Sequence, residues 1–141
     1  MKWLLLLATL MTAAVLLGAA AESNTVTYVD HEKVAKGGPL ATTPDYTVSM
    51  NQRTATGQVE VHEKETDIFY VTGGEATFVT GGKMIGGKVS RPNQLLGTDI
   101  QGGETHHLTR GDVVVIPAGT PHWFKQVPQS VQYFVVKSIK P

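Results

Sequence analysis

The sequence predicts an all-β protein, a sandwich or barrel of short strands. Three observations carry this expectation. Residues 22–141 hold 16 valines and 15 threonines but only four leucines, and β-branched residues suit a pleated surface better than a helix. Ten of the 14 glycines in that span sit in five Gly-Gly pairs, at 37–38, 73–74, 81–82, 86–87 and 102–103, which read as tight turns between strands. Apolar and polar residues alternate with a period of two across 46–54 and 58–62, the pattern of half-buried strands.

The first 21 residues differ from the rest. Lys2 precedes an apolar run over 3–17 that is interrupted only by two threonines, and Gly18-Ala19-Ala20-Ala21 follow. A basic start, a short apolar stretch and small residues at the end predict a secretory signal peptide over 1–21, cleaved after Ala21. The run falls short of the roughly 20 apolar residues that span a bilayer. The expectation is therefore an exported chain, periplasmic or secreted, with no membrane association after cleavage. Residues 22–141 are enough for one domain. They carry 11 basic and 12 acidic residues, so no basic excess supports nucleic-acid binding. The chain has no cysteine, which excludes disulfides, thiol catalysis, cysteinyl zinc sites and iron–sulfur clusters.

In chain order, residues 25–29 read as a short strand. Residues 30–36 are the only helical candidate, with Asp30 as N-cap and Gly37-Gly38 as the stop. A strand over 46–54 places Tyr46, Val48 and Met50 on one face, and 58–62 alternates again. Residues 67–72 and 75–80 read as a hairpin about Gly73-Gly74. Residues 84–89 and 104–109 are weaker strands, and 90–101, with Arg91-Pro92-Asn93, read as a surface excursion. The apolar run 113–116 reads as a strand buried on both faces, and 123–127 and 131–137 close the fold.

Two segments carry the chemistry. In the first, Glu60 and His62 lie two apart on a strand and project from one face, and Asp67 opens the next strand. In the second, Gly111, Pro117, Gly119 and His122 describe a strand, a turn and a histidine on re-entry to the sheet. If the two hairpins are neighbours, Glu60, His62, Asp67 and His122 can share one interior point. Two imidazoles with carboxylates form a nitrogen and oxygen site without soft ligands, suited to one divalent ion among Zn, Mn, Fe, Co and Ni. With the carboxylates cancelling the ion's charge, the site is expected to be neutral and to favour neutral or weakly anionic ligands. His106 shares the face of Leu108, and Phe124 and Gln126 share the face of His122, so these three are pocket candidates. His107 is expected to face outward.

Both segments resemble the cupin signature. The first motif is a glycine, a His-x-His pair, three or four residues, a glutamate, six residues and a glycine; His62, Asp67 and Gly74 keep its spacing. The second is a glycine, five residues, Pro-x-Gly, two residues and a histidine, matched by Gly111, Pro117, Gly119 and His122. Glu60 stands where the first histidine is usual, Asp67 where the glutamate is, and Gln126 where an asparagine often follows. The resemblance implies a double-stranded β-helix, or jelly-roll barrel, over 22–141. It implies metal ligands at His62, His122 and Asp67, with Glu60 as the fourth. The long separation of the motifs implies an insert about 84–101, a candidate lid. The expected function is a metal-dependent enzyme of oxygenase, isomerase or lyase type acting on a small organic molecule, with an unligated Glu60 as general base. The alternative is a non-catalytic module that binds or senses a sugar or another small molecule. A homodimer paired through edge strands is a further implication of the resemblance.

Overall fold

A computed structural model describes residues 25–141. The expected signal peptide over 1–21 lies outside the described residues. Among the described residues, no helix is long and apolar enough to cross a membrane.

The helix α1 (His31–Lys36) forms where the capping residues place it. Asp30 accepts a hydrogen bond from the Lys33 amide at 2.8 Å, and Gly37 ends the helix at φ +74°. Twelve strands follow: β1 (Gly38–Thr42), β2 (Tyr46–Arg53), β3 (Val59–His62), β4 (Glu65–Thr80), β5 (Lys83–Ile85), β6 (Lys88–Arg91), β7 (Gln94–Gly97), β8 (Asp99–Gln101), β9 (Glu104–Thr109), β10 (Val113–Ile116), β11 (His122–Gln126) and β12 (Val131–Ile139). One face of the barrel runs β1-β2-β12-β4-β10, the other β9-β4-β11-β3-β7-β6, all antiparallel. β5 and β8 form a separate pair.

β4 belongs to both faces. Its first half pairs with β12 and β10, and its second half with β11 and β9. The expected hairpin at Gly73-Gly74 is therefore a bend within one strand. Against β12, Gln132 pairs with Gly73 and Tyr133 with Val71, leaving Thr72 as an extra residue. Such a bulge reverses the alternation. Asp67, Phe69 and Val71 point inward before it, and Ala76 and Phe78 after it. Gly74 takes φ +70°, and a Cβ there would overlap the Ser130 carbonyl oxygen. A glycine pair supplies both a turn and a bend, and only the distant β12 decides between them.

Three other expectations differ. β10 is an edge strand: it pairs with β4 alone, and Val113 and Val115 are 62% and 59% exposed. Its apolar character reflects an outer stripe shared with Ile68 and Tyr70, not burial on both faces. Residues 90–101 are not an irregular excursion, since β6, β7 and β8 occupy most of them, and β7 extends the sheet by pairing with β3. Residues 25–29 form no strand, and β1 follows the helix instead.

The core lies between the faces. Phe69, Phe78, Phe124 and Tyr133 interlock, with Phe78 and Phe124 centroids 4.6 Å apart, and Val71, Ala76, Leu108, Ile116, Val131 and Val135 surround them. Burial of a side chain of this size contributes about 2 kcal/mol each. The aromatic cluster also forms the floor beneath the polar residues described next.

Candidate metal centre

β3 and β11 are neighbours, and His122 lies directly opposite Glu60. Strand alternation puts His62 on the same side as Glu60, facing the barrel interior. Asp67 reaches the same space from the opposite face, on β4. His62, Asp67 and His122 are all buried, at 4%, 2% and 4% exposure, among apolar core residues. Buried groups of this kind need partners: Asp67 accepts from Lys137, and His122 bonds the Thr120 carbonyl.

The ring nitrogens converge. His62 Nε2 lies 3.3 Å from Glu60 Oε2 and 3.6 Å from Asp67 Oδ2, and His122 Nε2 lies 3.9 Å from Asp67 Oδ2. The two imidazole centroids are 5.2 Å apart. Glu60, His62 and His122 each offer a ligand atom within 4.8 Å of the others, and His62, Glu65 and Asp67 form a second such group.

An outer partner orients the His122 ring. His122 Nδ1 donates to the Thr120 carbonyl at 3.0 Å, which leaves the Nε2 lone pair directed at the shared space. His62 Nδ1 faces Glu65 Oε2 at 3.5 Å but forms no hydrogen bond among the described residues. An imidazole held at one nitrogen by a carbonyl, as His122 is, is the usual state of a metal-ligating histidine. Burial lowers the His122 pKa, so the ring is neutral at pH 7 and able to ligate. Burial opposes ionisation of Glu60, but the contact from His62 and the nearby His122 and Arg53 outweigh it and hold the carboxyl at about 2. The donor set and the orientation of the His122 ring fit a divalent cation.

Two cations escaped the sequence reading. Arg53, at the end of β2, donates from Nη2 to Glu60 Oε1 at 2.9 Å and from Nε to the Tyr133 hydroxyl at 3.2 Å. Lys137, on β12, lies 2.7 Å from both Asp67 oxygens and 3.0 Å from Glu65 Oε2. The available signal was period two. Asn51 and Arg53 alternate with Val48 and Met50, and Lys137 continues the inward series Val131, Tyr133, Val135. With these cations present, a divalent ion does not give the neutral site expected from the acids alone.

A cavity of about 110 Å³ joins these residues, lined by Arg53, Glu60, His62, Asp67, His122 and Lys137 over a floor that includes Phe69 and Phe124. Phe124 thus serves as both core and pocket wall. Gln126 does not: a bulge after Phe124 turns it to the surface, where Thr77 meets it at 3.4 Å. His106 is not part of this cavity either. It bonds Thr80 Oγ1 at 2.9 Å and lines a separate groove with Glu104 and residues of β10. His107 faces outward beside Glu75, as expected. None of residues 84–101 lines the cavity, so the expected lid does not cover it.

No curated protein matches the chain by sequence. Among solved structures, the chain is similar to the Cnp3 cupin domain of Schizosaccharomyces pombe, with 11% identity and TM-score 0.53 over 74% of this chain and 60% of that one. The chain thus spans less than two thirds of that structure. It is similar to the TT1209 protein of Thermus thermophilus, with 17% identity and TM-score 0.57 over 82% of this chain and 100% of that one. It is also similar to a Klebsiella pneumoniae protein with a double-stranded beta-helix domain, with 18% identity and TM-score 0.50 over 73% and 75% of the two chains. At these identities the likeness concerns the fold. The sequence profile of the cupin family matches residues 22–141, and the chain belongs to that family.

Proposed function

We propose that this cupin holds one divalent metal ion through Glu60, His62 and His122 and uses it to act on a small organic molecule. The observation that carries the reading is the convergence of the His62 and His122 Nε2 atoms with a Glu60 carboxylate oxygen, 3.3 Å from His62 Nε2, in one buried cavity. Asp67 lies within reach as a fourth ligand, but both of its oxygens already accept from Lys137. A three-residue set leaves coordination positions open, as an enzyme requires and a closed structural site does not. When bound, such an ion supplies Lewis-acid polarisation or, if redox-active, oxygen activation.

The chain's own residues supply the remainder. Arg53 anchors one Glu60 oxygen and leaves the other toward the cavity. Thr120 fixes the His122 tautomer. Phe69, Phe124 and Val135 wall the cavity and limit water beneath it. The reading extends to export, on the strength of residues 1–21. It extends to self-association through β10, where Val113 and Val115 expose apolar surface on an edge strand.

Elemental analysis of protein purified without chelator tests the metal. One ion per chain is expected, and none in a His62→Ala/His122→Ala double variant. Equal metal in both proteins refutes the site.

A further inference from the structure

We infer that the ligand of this cavity is a small carboxylate, and that Arg53 reads its charge; this rests on the metal reading above. Two carboxylates (Glu60, Asp67) line the cavity with two cations, Arg53 and Lys137. Without a metal these lining charges cancel, and a divalent ion makes the set two charges positive. A low-dielectric pocket with a positive surplus selects an anion.

Arg53 is the group with capacity to spare. Its Nε and one Nη2 hydrogen are committed to Tyr133 and Glu60. Its Nη1 amino group forms no hydrogen bond with any described residue. Lys137, in contrast, is spent on Asp67 and Glu65. The guanidinium lies over the Phe124 ring, its carbon 5.1 Å from the centroid. The Gly57 backbone lies so near that a Cβ there would stand 2.8 Å from Nη1. A guanidinium fixed on two sides and bonded at two nitrogens is preorganised, and its remaining N–H groups match a carboxylate. The side chain is 30% exposed, so a ligand can reach it. It also lines an open groove with Lys36, Asn51 and Gln132.

The cavity sets the size. About 110 Å³ corresponds to roughly four water molecules. That admits an acid of two to four carbons and is small for a whole sugar ring. The metal's open positions and the Arg53 edge would then hold opposite ends of one molecule.

Calorimetric titration of the metal-loaded full chain with malonate and with its neutral diamide tests this. Malonate is expected to bind at least about 10-fold more tightly, the worth of one charge-assisted bond. Arg53→Met is expected to remove that preference, with metal content measured on the same sample. Arg53→Lys, which keeps the charge without the fork, is expected to restore part of it. Equal binding of the two probes by the wild type overturns the inference, as does an Arg53→Met protein that retains both its metal and its malonate preference. A wild type that carries no metal overturns the metal reading instead. The same titration on that chain then decides the role of Arg53, which a malonate preference upholds and equal binding refutes.

Discussion

Lys137 Nζ sits 2.7 Å from each carboxylate oxygen of Asp67, a residue only 2% exposed. A buried carboxylate so placed depends on its counterion, because removing one partner leaves an uncompensated charge. In metal-free protein, Lys137→Met is expected to cost about 3 kcal/mol, the order seen when such a pair is broken. Saturating divalent metal is expected to recover part of the loss, since the ion can replace the ammonium beside Asp67. Urea unfolding of both proteins with and without metal checks this, and a loss that metal does not reduce counts against Asp67 facing the ion.

Glu60 and His62 act together, so Glu60→Gln separates charge from shape. The amide keeps one oxygen near His62 but surrenders the anion and the full bond from Arg53. Metal affinity is expected to fall by about 100-fold, near the upper end of what metal-site partners contribute. Competition with a chromophoric chelator measures it. An unchanged affinity would show that the ion, if present, lies elsewhere.

Acid sensitivity follows from His122. Its pKa in the folded chain is below the ordinary 6.5 because it is buried. The unfolded chain therefore takes up a proton that the folded chain refuses, and stability drains away as pH falls below 6.5 toward the lowered value. Metal binding weakens over the same interval, because a proton then competes for Nε2. Glu60, ionised down to about 2, gives no further step near neutrality. Urea midpoints of metal-free protein between pH 8 and 5 should show this slope, and His122→Ala should flatten it.

The bend in β4 makes a contrasting pair of glycine variants. Gly74→Ala adds a methyl group that overlaps the Ser130 carbonyl and forces an L residue to φ +70°. A cost on the order of 3 kcal/mol is expected. Gly111→Ala also faces a positive φ, +98°, but meets nothing within 4 Å, so about 1–2 kcal/mol from backbone strain alone is expected. Equal costs for the two would mean that strand crossing at Gly74 does not govern stability.

The all-β class, the helix bounded by Asp30 and Gly37, and the family are legible in the chain alone, because caps, alternation and motif spacing are local properties. Glu60, His62, Asp67 and His122 are legible for the same reason, since their motif spacing survives in one dimension. Folding in three dimensions settles that Gly73-Gly74 bends a strand instead of closing a hairpin, since a distant β12 provides the partner. Val113 and Val115 face solvent because β10 is an edge strand, a fact of sheet order that no run of four apolar residues can encode. Gln126 leaves the pocket through a bulge that breaks the alternation after Phe124. Arg53 and Lys137 join the site from strands 7 to 80 residues away from the groups they bond, because folding, not sequence proximity, brings opposite charges into one low-dielectric space.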